Sequence, residues 1–251
     1  MDQPDLNSRL SRISTMWTML GQARADTSQA GQAQWALIQR YQGAVYRYLR
    51  GATHDPDVAD ELFQEFALRV VQGAFARVNP ERGRFRDYLR TTLIHLVTDY
   101  QNRKRRGAQP LDKVVAEAAA PIAGSEASDE LFLTSWREEL LSAAWAALDR
   151  VERLGGQPYY SVLRFRSENP EASSAEMAVR LSEQLHPPCP LTETGIRKTL
   201  QRARAQFADA LIEEVAHSLD HPTHDALEQE LIALNLLSYC RSALQRRAAC
   251  P

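Results

Sequence analysis

Apolar residues recur at helical spacing in two long stretches of this chain, and a segment without periodicity, residues 107 to about 130, separates them. That segment is rich in Ala, Gly, Pro and acidic residues, a composition typical of flexible or semi-extended linkers. A spacing of three and four residues places apolar side chains on one face of an α-helix. The pattern therefore predicts an all-α protein, with two helical domains joined by a linker.

The first stretch contains three predicted helices, with apolar stripes within residues 35–49, 58–71 and 85–100. Between the first two lies Thr-His-Asp-Pro at 53–56, a turn that caps the second helix and puts its proline at or near the first helical position. The third helix runs into a basic cluster and stops at Gly107. These features predict a three-helix first domain with a basic end.

The second stretch opens with an amphipathic helix over about residues 131–154. Residues 173–176 offer an N-cap to a short helix, and Thr192 can cap a later basic helix. His-Pro-Pro-Cys-Pro at 186–190 predicts a rigid turn between them. A short capped helix, a turn and a basic helix, here residues 174–207, are typical of a helix-turn-helix, whose second helix enters the major groove by its N-terminal end.

Beyond this motif the chain becomes acidic, and we expect acidic helices around residues 209–219 and 225–237, followed by a polar tail. We predict the following division: an N-terminal extension (1–30), a first helical domain (31–107), a linker (108–130), a second helical domain with the helix-turn-helix (131–215), and an acidic helical C-terminal extension (216–251).

The charges are segregated along the chain, although the 251 residues carry a formal net charge of only −2. Residues 82–106 contain eight Lys or Arg against two Asp, whereas residues 209–230 contain seven acidic residues and no Lys or Arg. Such segregation supports an electric field that can orient a polyanion. A solvated helical face would also account for either run alone.

Several classes of protein find little support in the sequence. Cys189, Cys240 and Cys250 form no CxxC pair, and the histidines are not spaced around them as zinc ligands would be, so we expect no metal and no cofactor. Three unpaired thiols, the lack of a signal peptide and the lack of a membrane-length apolar run predict a cytoplasmic protein without a membrane anchor. No nucleophile-base arrangement or phosphate-binding loop predicts an enzyme, and we assign no catalytic residue.

The second predicted helix combines acidic and aromatic residues. Its apolar positions can pack inward while its acidic and amide side chains point outward, which would suit docking of a basic partner helix. A solvated amphipathic helix is the alternative. The residues concerned are Asp60, Glu61, Gln64 and Glu65, with Phe66 on the apolar side.

The third predicted helix is basic at both ends. Arg and Lys neutralise phosphates without sequence preference, and an aromatic ring such as that of Tyr88 can stack on an unpaired base. Basic residues at a helix C-terminus also interact favourably with the helix dipole, which accounts for part of the terminal cluster without any DNA.

The order of these segments resembles bacterial RNA polymerase sigma factors of the extracytoplasmic-function type. Residues 60–69 (DELFQEFALR) look like the family's polymerase-docking helix, and residues 79–89 (NPERGRFRDYL) and 194–204 (TGIRKTLQRAR) are similar to its DNA-contacting segments. The resemblance covers roughly residues 31–107 and 131–215. It implies a promoter-specificity protein that assists DNA opening, with core RNA polymerase and promoter DNA as partners. An anti-sigma factor or other regulator remains open.

The resemblance also implies roles for individual residues. Core polymerase, through the coiled-coil clamp of its largest subunit, would bind Asp60, Glu61, Gln64, Glu65 and Phe66. The −10 element and its opened strand would lie near Arg86, Tyr88, Arg90, Asn102, Arg103 and Arg105. The −35 element would be contacted by Thr194, Arg197, Lys198 and Arg202.

Two features depart from the family pattern. The turn from Ser182 to Leu191 is longer than usual, which bears on the tilt of the basic helix, and the acidic extension after Phe207 exceeds a two-domain plan. That extension would mask a basic surface, bind a regulator or brace the second domain.

A stand-alone helix-turn-helix regulator is the main alternative function, but it gives the acidic-aromatic helix, residues 60–66, no role. An all-helical adaptor leaves both basic clusters unexplained.

Overall fold

The structure, a computed structural model, describes residues 29–72, 84–107, 125–219 and 222–248. Within these ranges the chain forms nine α-helices and no strand, which confirms the all-α prediction. The helices are α1 (Gln29–Thr53), α2 (Pro56–Val71), α3 (Phe85–Gly107), α4 (Glu126–Arg153), α5 (Tyr159–Glu168), α6 (Ser174–Leu185), α7 (Glu193–Ala216), α8 (His224–Ala233) and α9 (Leu237–Ala248).

Two compact units divide the chain, the first ending at Glu139 and the second beginning at Leu140. The core of the first unit is aromatic. Tyr46 meets Phe63 edge-on with 6.0 Å between ring centroids, and Phe63 lies 6.2 Å from Phe66, so that the apolar stripes of α1 and α2 interlock. Leu89 and Leu93 of α3 are fully buried in the same unit.

The first half of α4 belongs to the first unit. Trp136 is fully buried and stacks on Tyr41 of α1, with ring centroids 4.3 Å apart. The Tyr48 hydroxyl is hydrogen-bonded to the Ser128 hydroxyl at 2.8 Å, and burial raises the pKa of that tyrosine, partly offset by this hydrogen bond. A side chain at Gly51 would collide with Leu131, so a residue without a side chain is what allows α4 to approach α1.

This arrangement corrects two sequence-based boundaries. Residues 126–130, predicted to be linker, form the first turns of α4, and the helix predicted to open the second domain contributes residues up to Glu139 to the first unit. The cause is tertiary, because aromatic packing on α1 stabilises a segment whose composition alone is that of a linker. The rest of the predicted linker, residues 108–124, and most of the predicted extension, residues 1–28, lie outside the described residues.

Helices α5 to α7 pack together through one apolar cluster in the second unit: Val162 and Phe165 of α5, Met177, Ala178 and Leu181 of α6, and Ile196 and Leu200 of α7. Helix α5 ends at Glu168, directly before Asn169-Pro170. Ser173 caps α6 in a reciprocal capping box with Glu176, as predicted, and the backbone and side-chain hydrogen bonds from Ser173 lower the pKa of the Glu176 carboxyl.

The C-terminal part differs from the prediction in two respects. Residues 209–216 continue α7 rather than starting a separate acidic helix, and residues 238–248, expected to be a polar tail, form most of α9. Cys240, Ala243 and Leu244 are buried, and α9 lies against α7. Arg246 pairs with Asp209 at 3.0 Å and Arg247 with Glu213 at 2.8 Å. The extension therefore braces α7, one of the three roles considered for it.

Burial raises the pKa of the Cys240 thiol to about 11, with a smaller contribution from the charge of Asp209. This thiol is therefore neutral at physiological pH and packs as a small apolar group.

Among the described residues no helix is long and apolar enough to cross a bilayer.

Candidate functional site

The start of α2 fixes the orientation of its acidic face. The Asp55 carboxylate accepts hydrogen bonds from the backbone N–H groups of Asp57 at 2.9 Å and Val58 at 3.3 Å, and Pro56 occupies the first turn. This is the predicted cap. A side-chain cap satisfies backbone donors that the helix itself leaves unpaired. The acidic residues that follow one turn later are consequently carried by a well-defined helix.

The residues predicted to dock on a partner differ in accessibility. Glu61 and Gln64 are exposed, whereas Asp60 is partly buried and accepts a hydrogen bond of 2.7 Å from the Tyr46 hydroxyl. Phe66 is fully buried in the aromatic core, so contact with a partner would require its side chain to become accessible. Glu61 and Gln64 lie three residues apart and share one helix face.

Glu65 is the most constrained member of this face. Its carboxylate accepts hydrogen bonds from Arg69 at 2.6 Å and from Arg103, at the basic end of α3, at 2.9 Å. Burial by itself would raise the pKa of Glu65, but the hydrogen bonds and charges of these two arginines hold it below its usual value. The same pair raises the pKa of Arg103. A predicted polymerase contact and a predicted DNA contact are thus joined by one ion pair.

Residues near the start of α3 are largely engaged within the first unit. Arg86 is only 7% exposed, because it lies three residues before buried Leu89 and seven before buried Leu93 and so shares their stripe. Arg90 forms an ion pair of 3.5 Å with Asp129 of α4. Tyr88 is partly exposed. A contact between Arg86 and DNA would therefore require its side chain to leave the interior.

The end of α3 is different. Asn102, Arg103, Lys104 and Arg105 follow one another on the last two turns, and all four side chains are exposed. Because successive helical residues point about 100° apart, consecutive cations surround the helix end rather than forming one stripe. Such an end can reach phosphates on more than one side, and only Arg103 is held by the Glu65 carboxylate described above.

The N-terminal half of α7 presents the second set of predicted DNA contacts. Thr192 caps the helix, its hydroxyl accepting a hydrogen bond from the Gly195 N–H at 3.1 Å. The buried side of the helix is formed by Ile196 and Leu200. The opposite side is exposed and carries all four predicted residues: Thr194, Arg197, Lys198 and Arg202. Of these, Arg197 pairs with Glu193 one turn earlier.

The long turn before α7 is tied back to α6. The Ser182 hydroxyl accepts a hydrogen bond of 2.9 Å from the Leu191 N–H, and it donates one to the Ala178 carbonyl. His186 ends α6 in the left-handed conformation, with φ of 46°. Both ends of the turn are therefore anchored despite its length, which limits the freedom of α7 relative to α6.

Two residues that complete these surfaces were not selected from the sequence. Arg69 holds Glu65 from one turn away, a spacing of four residues that does signal a helical ion pair. Asp129 forms an ion pair with Arg90, but it lies in the segment expected to be linker, so no local signal indicated its role.

No group of three or more His, Cys, Asp or Glu side chains suited to a metal ion occurs in the described ranges.

Comparison with known protein families identifies part of the first unit. Residues 37–107, which comprise most of α1 together with α2 and α3, match the family model described as Sigma-70 region 2. This match supports a sigma factor of the sigma-70 family. No curated protein and no solved structure matches the chain.

Proposed function

We propose that this chain is an RNA polymerase sigma factor of the extracytoplasmic-function type. The observation that carries the proposal is that the sigma-70 region 2 match coincides with a unit that exposes acidic side chains on α2 and a cationic end on α3. A polymerase-docking face and a DNA-contacting face are the two parts that such a role requires. Stand-alone DNA binding would need only the second.

Docking on core polymerase begins with the exposed side chains of α2. Glu61 and Gln64 are accessible, and Glu65 is available once its arginine partners are exchanged for those of the polymerase. The buried rings of Phe63 and Phe66 support this face from below. Complementary charge on the partner would increase the association rate and fix the register of the complex.

Promoter opening requires no catalytic group in this proposal. The cationic end of α3 would hold the phosphate backbone, and Tyr88 would stack on a base that has left the duplex. Capture of an unpaired base biases the equilibrium towards the melted state, because unstacking costs only a few kcal/mol per base. The −10 element is accordingly assigned to α3.

Recognition of the −35 element is assigned to α7, as the second helix of a helix-turn-helix. Support comes from the exposed face that carries Thr194, Lys198 and Arg202 near the capped N-terminus of this helix, and from the apolar cluster that joins it to α6. Thr and Lys side chains at the start of a recognition helix can reach base edges and phosphates in the major groove.

The test is binding of the full chain, labelled with a fluorophore, to bacterial core polymerase, measured by fluorescence anisotropy. Glu61→Lys reverses an exposed charge on α2 and should weaken binding by about tenfold or more, equivalent to about 1.4 kcal/mol. Asp225→Lys is the matched control, because it reverses an exposed acidic residue on α8 and should leave the affinity unchanged.

The alternative function makes the opposite prediction. If the native chain never binds core polymerase yet shifts duplex DNA on its own, a stand-alone helix-turn-helix regulator replaces the sigma factor. An equal loss of affinity for core polymerase with Glu61→Lys and Asp225→Lys would also contradict the docking face. The loss would then depend on the net charge of the chain and not on α2.

A further inference from the structure

A groove on the second unit is lined by arginines from three helices. Arg166 belongs to α5, Arg197 and Arg204 to α7, and Arg246 to α9. Tyr239 of α9, which is 70% exposed, lines the same groove. No acidic residue is among the lining side chains that the structure describes, and the remainder are apolar, small or uncharged. The charged groups that line the groove are therefore all cationic.

The charges of these arginines are only partly compensated. Arg166 donates hydrogen bonds to the carbonyl oxygens of Pro170 and Ala172 at 3.0 and 2.7 Å, which orient the guanidinium but do not neutralise it. Arg204 is exposed and forms no ion pair with any residue in the described part of the chain. Two full positive charges thus remain on the groove, in addition to the two arginines that have acidic partners.

The N-terminus of α6 lies at the same groove. Ser174, the first residue of this 12-residue helix, also lines the groove. The N-terminal end of a helix carries a partial positive charge, but here the capping box of Ser173 and Glu176 pairs part of its N–H groups and places a carboxylate beside it. The arginines therefore carry the preference for an occupant with several phosphates.

We propose that this groove binds the sugar-phosphate backbone of duplex DNA, so that the C-terminal helix α9 is part of the DNA-binding surface. The inference rests on the proposed function, since it extends the face assigned to the −35 element. Arg197 belongs both to that face and to the groove, which makes the two surfaces continuous. The bracing helix then has a second role, holding Arg246 and Tyr239 beside α7.

A polymeric anion fits this surface better than a single phosphate group. Arg197 and Arg204 are seven residues apart on α7, about 10 Å along the helix axis, which exceeds the reach of one phosphate. Guanidinium groups bind phosphate oxygens with paired hydrogen bonds, and successive phosphates along a strand would engage successive arginines. Such contacts carry no sequence preference and set the position of the protein on the duplex.

Adjacent residues of α9 provide a matched pair of variants. Arg246 and Arg247 are similarly exposed, and each pairs with an acidic residue of α7, but only Arg246 lines the groove. Arg246→Gln and Arg247→Gln therefore remove the same charge and an equivalent ion pair. Any difference between them in DNA binding reports on the groove alone.

The experiment measures the affinity of holoenzyme for a duplex containing a promoter mapped with the native chain, at several salt concentrations. Arg246→Gln should weaken binding several-fold and reduce the slope of log affinity against log salt by about one, because one phosphate contact is lost. Arg247→Gln should keep the native slope. Equal slopes for both variants would overturn the proposal.

A second variant, outside α9, separates loss of a DNA contact from a folding defect in that helix. Arg204→Gln lies on α7 and breaks no ion pair with a described residue, and it should reduce the slope by the same amount. Native slopes for both Arg204→Gln and Arg246→Gln would reject the groove as a DNA contact, while promoter binding by the native holoenzyme would leave the sigma-factor proposal standing. If the native holoenzyme binds no promoter, the sigma-factor proposal itself fails.

Discussion

The two units hold their predicted partner-binding residues in different ways. In the first unit Arg90 is paired with Asp129, and Glu65 with Arg69 and Arg103, so the polar groups bridge helices of the same unit. On α7, by contrast, Lys198 and Arg202 are exposed and form no ion pair with any described residue. Both surfaces are cationic stretches on helices, but in the first unit Arg90 and Arg103 are paired while Lys104 and Arg105 at the end of α3 are exposed.

The difference has an energetic consequence. A partner that binds the first unit must replace existing ion pairs, so the net gain is the difference between the new contacts and those that are lost. A partner that binds α7 replaces mainly water and counterions, and the gain is then dominated by counterion release. We therefore expect substitutions in the first unit to affect both folding and binding, and substitutions on α7 to affect binding alone.

The largest effect is expected at the aromatic contact that joins α4 to the first unit. Trp136→Ala removes a fully buried ring that stacks on Tyr41 and should lower the local unfolding free energy by about 3–5 kcal/mol. Hydrogen exchange of peptides from α1 to α3, followed by mass spectrometry, measures that loss. Unchanged exchange would show that α4 does not stabilise this unit. Trp145→Ala, in the second unit, is the control that should leave those peptides unaffected.

A smaller effect is expected at the buried hydroxyl pair of Tyr48 and Ser128. Tyr48→Phe leaves the serine hydroxyl without its partner and should cost about 1–2 kcal/mol. The combined Tyr48→Phe, Ser128→Ala variant should cost less than the sum of the two single changes, because the same hydrogen bond is lost only once. Strict additivity in exchange-derived stability would argue against this contact.

On α7 the prediction concerns binding without a change in stability. Lys198→Gln should reduce the salt slope of promoter binding by about one, with a melting temperature equal to that of the native chain. Arg241→Gln, an equal loss of charge on the exposed side of α9 away from the groove, should leave the slope unchanged. A lower melting temperature for Lys198→Gln would remove the contrast between the units.

The smallest expected effect is the pH dependence of Glu65. Its pKa is lowered in the folded protein, so its contribution to stability is present above the pKa of the unfolded chain and is lost as pH falls through the folded value. The stability difference between the native chain and Glu65→Gln should therefore be present at neutral pH and disappear in acid. Denaturant titrations at both pH values measure it. A difference that persists in acid would exclude the carboxylate as its source.

Local features of the sequence were sufficient to predict the caps. Asp55 with Pro56, Ser173 with Glu176, and Thr192 act through backbone groups within a few residues, so their roles follow from short-range geometry. The exposed face of α7 agrees with the helical period, because one side of that helix carries the buried Ile196 and Leu200 and the other carries polar residues.

Long-range packing accounts for what the sequence did not indicate. Arg86 is polar, yet its position on the leucine stripe of α3 places it in the interior. The start of α4 and the helix α9 have weak local signals. Their buried residues, Ser128 and Leu244 respectively, pack within their units. The pairing of Arg103 with Glu65 joins residues 38 positions apart, which no spacing rule connects. The groove lined by Arg246 arose in the same way, from a segment expected to be a tail.

Promoter-specific initiation by this chain can be measured by transcription of fragmented genomic DNA with bacterial core polymerase, with the 5′ ends of the transcripts sequenced. For a sigma factor, discrete start sites should appear only when the native chain is present and should share two upstream sequence elements. They should disappear with Glu61→Lys but persist with Asp225→Lys. Start sites identical to those of core polymerase alone would contradict the assignment of this chain as a sigma factor.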